Sequence, residues 1–314
     1  MNQWTASLEE RVDPMVGVAV AVIAISTSAI LVRWSEAPSV VKAFYRVLFA
    51  TSMVAPFALR DIDGIKTISV RDLGFAVVSG LALAAYFGSF FESLEWTSVA
   101  ASVTLISTQP IFVGIGAAFL LNERLTSRMF VGMIVALVGA FTMSVGPLMV
   151  DPLLGGGNIV EVLAAAFAGS SAQLYGNAIA FGGALAGAIY TLTGRSLRQR
   201  LSLFVYTFII YTVSTVALGG LAIGTGAQLL GYAPTEWVLF FAMALILDLF
   251  GQTVYNWALK YVKASVMSVS LLADPVAATI LALVLLGEVP EVVMILGGVV
   301  VLVGIYLTNR ARVT

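Results

Sequence analysis

Two aspartates, Asp248 and Asp274, lie deep inside long apolar stretches of the sequence. Charged groups at such a depth in a lipid bilayer are costly, and they usually face a water-filled path or a partner. A carboxyl group in this position can bind and release a proton, or it can hold the ammonium group of a small ligand. Both aspartates are therefore candidates for these two roles. The alternative is that either is neutral and hydrogen-bonded to a neighbouring helix.

Two prolines, Pro110 and Pro275, interrupt apolar stretches, and each follows a polar residue, Gln109 and Asp274 respectively. Proline removes one backbone hydrogen bond and opposes a continuous helix, so a carbonyl group is freed that something must satisfy. One interpretation is a packing kink in which the polar neighbour bonds the freed backbone. We favour a broken helix that lines a cavity and bends as a hinge, because the same element occurs twice.

Aromatic and amide side chains form two further faces. Tyr86 and Phe90 are four residues apart, and Gln252 and Tyr255 are three apart, so each pair shares one side of a helix. We predict that these faces wall an amphipathic, substrate-binding pocket to which Gln109 also contributes. The alternatives are lipid-facing or core packing and, for Tyr255, anchoring at the membrane interface.

One arginine and four glycines also stand out. Arg46 lies near the outer end of the second apolar stretch, where we expect it to reach outward, to pair with Glu36 or to bind a substrate carboxylate. Glycine faces allow helices to approach closely and would also permit pairing between copies of the chain. These glycines are Gly132, Gly139, Gly297 and Gly304.

The elements that must position these residues are membrane-spanning helices. The chain is 60% hydrophobic and only 11% charged, and its mean hydropathy is +1.01, which excludes an ordinary soluble domain. Long apolar runs without strand-like alternation favour helices over a barrel, and about 20 apolar residues suffice for one crossing. We therefore predict an all-α integral membrane protein with ten transmembrane helices. The predicted spans are 14–32, 40–58, 73–91, 97–121, 128–146, 173–193, 201–223, 236–256, 264–287 and 291–308.

The sequence repeats itself once. Residues 110–139 align with residues 275–304 without a gap, and twelve of these thirty pairs are identical. Each copy has five apolar spans, and an odd number of crossings places the two copies in opposite orientations. The sequence therefore predicts two inverted five-helix repeats, residues 1–146 and 173–314, joined by an extracytoplasmic connection over 147–172.

The basic residues predict the orientation. Cytoplasmic loops collect Lys and Arg. With both termini in the cytoplasm, 13 of the 16 basic residues fall on the inner side, and the other three cluster around the first outer turn. We therefore predict a multi-pass protein of the bacterial inner membrane. The apolar segment Ile159–Gly169 is too short to cross unaided, and we expect it to lie at the outer interface or over the bundle.

Several function classes are excluded or disfavoured. The chain has neither cysteine nor histidine, which removes disulfides, metal thiolates and Ser–His, Cys–His or His–metal chemistry. We therefore predict no enzyme activity, no metal and no cofactor. A net charge of −1 argues against nucleic acid as a partner. Asp248 and Asp274 lack the glycine-flanked surroundings of an intramembrane aspartyl protease. No Gly-x-x-x-x-Gly-Lys loop is present, so we expect no ATP hydrolysis.

The repeated segments resemble a known family. The run from Ala100 through Gln109-Pro110 to Glu123 is similar to the fourth-span signature of the drug/metabolite transporter superfamily, EamA type. The run from Ala264 through Asp274-Pro275 to Glu288 is closer still. Arg46 matches the arginine that this family often has in its second span. The chain departs from the family at Asn122, where glycine is usual, at Gln109 and Asp274, where glutamate is commoner, and in the long 147–172 connection.

This resemblance implies a secondary, non-ATP carrier for a small-molecule substrate that works by alternating access. Members of the family export amino acids and other metabolites or take up small solutes. The chain is most similar to YddG-type exporters of aromatic amino acids. By the same resemblance, spans 1, 3, 4, 6, 8 and 9 would line a central cavity. An uptake carrier and a passive channel for other metabolites or drugs are the alternatives. The oligomeric state is left open, a monomer being one option.

Overall fold

The regular structure of the protein is helical. The computed structural model describes residues 13–61, 64, 66, 68–97, 99–123, 125–154, 158, 160, 171–287 and 289–310, and within these ranges no strand occurs. Eight helices of the described chain are long and apolar enough to cross a membrane, and Val292–Thr308 is a shorter apolar helix. A helix satisfies its own backbone hydrogen bonds, which a bilayer demands. The predicted all-α, multi-pass membrane protein is therefore confirmed, whereas the number of ten spans stays a prediction.

The helices follow the predicted apolar stretches, with breaks inside several of them. They are α1 (Pro14–Ser26), α2 (Ser28–Trp34), α3 (Ser39–Leu59), α4 (Val70–Trp96), α5 (Val99–Ile106), α6 (Gln109–Leu120), α7 (Ser127–Leu154), α8 (Ser171–Leu197), α9 (Leu203–Gly224), α10 (Pro234–Met243), a π-helix (Ala244–Thr253), α11 (Val254–Ala258), α12 (Ala264–Ser270), a 3₁₀ turn (Leu271–Ala273), α13 (Asp274–Leu286) and α14 (Val292–Arg310).

Three predicted spans are interrupted within their length. The first is divided between α1 and α2 at Thr27, whose hydroxyl donates to the carbonyl of Ala24 at 2.7 Å. The fourth is divided between α5 and α6, and the ninth passes through the 3₁₀ turn before α13. The last two breaks lie at the predicted proline elements. The break at Thr27 has no proline and was not predicted from the sequence.

The chain packs into two compact units. One lies within Met1–Ala84 and Tyr190–Met267, and the other comprises Ala85–Ile189 and Ser268–Thr314. In the first unit, α3 packs along α9, and both α1 and α3 pack against the π-helix. Each unit contains residues from both predicted repeats. The units therefore do not correspond to the repeats, and the division of the sequence into 1–146 and 173–314 stays a prediction.

In the second unit, α7 and α14 approach each other through their glycines. A Cβ atom on Gly132 would lie 2.7 Å from the carbonyl oxygen of Gly304, and one on Gly139 would lie 2.8 Å from that of Gly297. Contacts this short leave no room for a side chain. The glycine faces are therefore occupied inside one chain, and the predicted close helix approach at these glycines is confirmed.

Parts of the predicted outer connection can be located. Helix α7 continues past residue 146 to Leu154, so the connection begins with helix. Helix α8 starts at Ser171 and covers the sixth predicted span. The predicted interfacial segment Ile159–Gly169 lies almost entirely outside the described residues, as do Arg124 and Glu288.

Candidate functional site

The first unit contains a buried ion pair between α3 and the π-helix. The Arg46 side chain donates from Nε to Oδ2 of Asp248 at 3.0 Å and from Nη2 to Oδ1 at 2.8 Å. Asp248 is 0% exposed and Arg46 is 4% exposed. This two-point geometry is the strongest form of a guanidinium–carboxylate contact. It neutralises both charges in a place where neither could be solvated.

This pair corrects two expectations. Arg46 neither reaches outward nor pairs with Glu36, because its guanidinium is turned inward onto Asp248. Glu36 is exposed, and its backbone N–H donates to Glu236 at 2.8 Å. Asp248 is hydrogen-bonded to a neighbouring helix through both of its oxygens, and the side chain it meets there is Arg46.

The π-helix fixes the backbone beneath Asp248. The carbonyl oxygen of Asp248 accepts from the hydroxyl of Thr253 at 2.9 Å and from the hydroxyl of Tyr211 at 2.8 Å. A π-helix has one more residue per hydrogen-bonded ring than an α-helix and is rare, and such segments occur frequently at functional sites. Two hydrogen bonds therefore hold the backbone carbonyl of Asp248, and its carboxylate binds Arg46.

Apolar residues pack the first span against the helices that lead into and carry Asp248. Gly251 of the π-helix lies against α1, since a Cβ atom there would be 2.9 Å from the side chain of Ile25. Leu31 of α2 packs with Met243 and Leu247 in one apolar cluster. The interrupted first span and the π-helix are therefore packed neighbours beside the pair.

A second polar cluster lies further along the same unit. The Tyr190 hydroxyl donates to the side-chain oxygens of Asn256 and, at 3.3 Å, of Gln252. The hydroxyls of Thr191 and Tyr255 are 2.9 Å apart. The rings of Tyr190 and Tyr255 are stacked, with centroids 6.1 Å apart and an interplanar angle of 21°.

The side-chain amide of Asn256 forms a hydrogen bond through its oxygen but not through its nitrogen. Asn256 is 0% exposed, and its Nδ2 has no hydrogen-bond partner in the structure. A buried amide nitrogen without an acceptor is unfavourable by about 1–3 kcal/mol. Tyr255 is 1% exposed, so its predicted alternative role as an interfacial anchor is wrong.

In the second unit, two other predicted pocket residues come together. Gly187 of α8 leaves the space that both occupy, because a Cβ atom there would lie 2.8 Å from Oε1 of Gln109 and 2.9 Å from the ring of Tyr86. Phe90 is half-buried, and its ring contacts that of Phe91 at a centroid distance of 5.7 Å. The structure thus joins Tyr86 with Gln109, whereas Phe90 makes ring contacts.

Both proline elements are helix starts. Gln109 is the first residue of α6 and Asp274 is the first residue of α13, with Pro110 and Pro275 in second position. Proline fits there because the N–H groups of a first turn have no partner within the helix. A carboxylate in the first turn is also favoured by the helix dipole. The predicted breaks are therefore present, and the hinge role of the prolines stays a prediction.

Tyr190 and Tyr211 were not predicted from the sequence, and Asn256 was not among the predicted binding residues. One signal was available for Tyr211, because it stands 165 positions after Arg46, the same offset that relates Pro110 to Pro275. These two residues meet at Asp248, one on its carboxylate and the other on its carbonyl group. Tyr190 and Asn256 carried no signal beyond a polar side chain in an apolar stretch.

The sequence pattern of the EamA-like transporter family matches residues 14–145 and, a second time, residues 174–310. The chain belongs to the EamA-like transporter family. It is accordingly a multi-pass membrane transport protein, and membership in this family points to a transporter rather than an enzyme. Among the described residues, no group of three or more acidic side chains is arranged to hold a metal ion.

Related proteins align with most of the length of this chain. A protein of Clostridium kluyveri named as an uncharacterized transporter is 25% identical over 260 residues, which cover 82% of this chain and 79% of that protein. An uncharacterized transporter of Archaeoglobus fulgidus is 28% identical over 268 residues, covering 82% and 84% respectively. A protein of known crystal structure superposes with a TM-score of 0.74 at 16% identity, covering 96% of this chain and 99% of that chain. The last likeness shows the fold alone.

Proposed function

We propose that this protein is a secondary transporter that exports amino acids, preferentially aromatic or amphiphilic ones, by alternating access without ATP. The observation that carries the proposal is the buried aromatic–amide cluster of Tyr190, Gln252, Tyr255 and Asn256. Stacked rings suit an aromatic side chain, and an unpaired amide nitrogen suits a substrate acceptor. Ligand sites in proteins combine such apolar walls with a few polar groups.

The architecture we propose is ten spans in two inverted repeats, with both termini in the cytoplasm of a bacterial cell. Two matches of the family pattern along the chain support the repeat. In this scheme the substrate contacts Gln252 and Tyr255 of the first unit, and Tyr86, Phe90 and Gln109 of the second unit are proposed as further substrate-binding residues. A monomer is sufficient, since the glycines of α7 and α14 are occupied within the chain.

Counterflow in proteoliposomes tests the transport function. Purified protein in vesicles loaded with unlabelled phenylalanine should accumulate labelled phenylalanine, should saturate, and should need no ATP. A panel of amino acids with aromatic, aliphatic and charged side chains gives the preference. Linear uptake without counterflow would identify a passive channel instead, and counterflow of none of the amino acids would overturn the proposal.

Gln252 supplies a test of the substrate site. Replacing it by leucine removes a buried amide of the cluster while its volume is nearly kept. We expect the half-saturation concentration for phenylalanine to rise about tenfold, equivalent to one hydrogen bond of about 1.4 kcal/mol. The matched control is Gln228→Leu, because Gln228 lies on an exposed loop. Equal kinetics of the two variants would remove Gln252 from the site.

Asp274 is the candidate for proton coupling, and the ion-paired Asp248 suits an ammonium group better. We expect Asp274→Asn to abolish accumulation driven by a pH gradient while phenylalanine exchange continues. The measurement compares uphill uptake with counterflow in the same vesicles. Full retention of uphill uptake would exclude a coupling role for Asp274.

A further inference from the structure

We propose that the Arg46–Asp248 pair is a charge-exchange site, at which a zwitterionic substrate replaces each partner of the pair with its own opposite charge. The substrate carboxylate takes the place of Asp248 on the guanidinium, and the released Asp248 carboxylate takes the substrate ammonium. This inference rests on the proposed function, and it adds which substrate charges are required and which residues recognise them.

The geometry of the pair suits an exchange of carboxylates. Arg46 presents one edge, Nε and Nη2, to two carboxylate oxygens at 3.0 and 2.8 Å. The carboxylate of an α-amino acid has the same two-oxygen shape, so it can occupy the same edge without movement of the guanidinium. Tyr211 and Thr253 hold the Asp248 carbonyl rather than its carboxylate. The side chain of Asp248 can therefore turn away while its backbone stays in place.

Charge balance favours a zwitterion over other ligands. The closed pair has no net charge, and a zwitterion inserted between its partners also brings none. Every charge is therefore paired before and after insertion, although both protein groups are buried. An amine without a carboxylate would bring no replacement for the Asp248 carboxylate on Arg46, and an acid without an ammonium group would bring no cation to Asp248. An unpaired buried charge is strongly unfavourable.

An interrupted helix lies next to the π-helix that carries Asp248. The pair is attached to a π-helix, and the π-helix packs against the first span close to its break at Thr27. Broken helices beside polar groups are a recurrent feature of transporter sites.

The test uses substrates that share one side chain and differ in charge. Vesicles with unmodified protein are assayed for counterflow of labelled phenylalanine against unlabelled phenylalanine, phenylalanine amide or N-acetylphenylalanine. We expect the amide and the N-acetyl compound to exchange about 100-fold less effectively or worse, because each lacks one of the two charges that the exchange requires. Comparable exchange of either compound would overturn this inference while leaving the proposed function intact.

A double variant in which neither residue of the pair is charged tests substrate recognition separately from folding. The double variant Arg46→Gln/Asp248→Asn replaces both charges by amides, so no buried charge is stranded. We expect it to keep a folded, monodisperse form in detergent and to lose phenylalanine exchange about 100-fold or more. The control is Arg200→Gln/Asp72→Asn, which neutralises a second Arg–Asp pair, 2.9 Å apart and 43% exposed at its arginine.

The outcomes distinguish the two claims. If the charge-free double variant exchanges phenylalanine as the unmodified protein does, the pair is structural and the inference is wrong. If the variant is unfolded, the competition assay with the unmodified protein decides alone. If the unmodified protein exchanges none of the amino acids, the proposed function fails and this inference fails with it.

Discussion

Arg46 and Asp248 neutralise each other inside an apolar bundle, so the removal of either leaves a stranded charge. We expect Asp248→Asn to lower the free energy of unfolding by about 3–5 kcal/mol, because Arg46 then keeps its charge without a carboxylate. Reversible denaturation in mixed micelles measures this loss. Asp72→Asn breaks the partly exposed pair with Arg200 and should cost about 0–1 kcal/mol.

A double-mutant cycle completes this prediction. Arg46→Gln combined with Asp248→Asn should be less destabilising than the sum of the two single changes, since the double variant strands no charge. Additive losses would mean that the two side chains do not interact, contrary to the two contacts that join them.

The partner of Asp248 could not be predicted from local sequence. Arg46 and Asp248 are 202 positions apart, and Glu36 stands much nearer to Arg46 in the chain. Sequence proximity favoured Glu36, whereas the packing of α3 against the π-helix decides the contact. The buried position of Asp248 was predictable, because it is a charged residue in the middle of an apolar run. The identity of its partner depends on tertiary structure.

At the scale of the helices, the proline elements are the clearest agreement between sequence and structure. Proline acts on its own backbone, so the breaks at Pro110 and Pro275 follow from local chemistry. The π-helix has no comparable signature, because hydroxyl groups of Tyr211 and Thr253 hold the carbonyl of Asp248 within it. The break at Thr27 lacks proline and was not predicted for the same reason.

The hinge role of the two prolines is testable by transport rate. We expect Pro110→Ala and Pro275→Ala each to slow counterflow several-fold, since alanine allows the two halves of the span to join into one stiffer helix. Pro56→Ala is the matched control, because Pro56 lies inside the continuous helix α3. Unchanged kinetics in both hinge variants would exclude bending at these positions.

The contact between α7 and α14 gives a prediction about stability. A Cβ atom on Gly304 would lie 2.6 Å from the carbonyl oxygen of Gly132, so Gly304→Ala must push the helices apart. We expect a loss of about 1–3 kcal/mol, as for other overpacked sites. Gly298→Ala on the same helix is the control, because its Cβ would meet no atom closer than 3.7 Å. Equal thermal stability of the two variants would contradict the close approach.

At the scale of the whole molecule, sequence and structure divide the chain differently. The repeat separates it near the middle, whereas each compact unit combines segments from both halves. Helices α4, α8 and α12 contribute residues to both units. Hydropathy and repeat length predicted the helices, but the assignment of each helix to a unit depends on contacts between distant segments.

The account depends most on two antiparallel halves crossing one bilayer, and chemical labelling tests this directly. The chain has no cysteine, so a single cysteine introduced by Arg124→Cys or Lys260→Cys is the only reactive thiol. A membrane-impermeant maleimide, applied to intact cells and to inverted vesicles, then reports the face on which each position lies. We predict that both positions react only in inverted vesicles, from the cytoplasmic face. Labelling of the two positions from opposite faces would contradict the inverted repeat and the transport mechanism built on it.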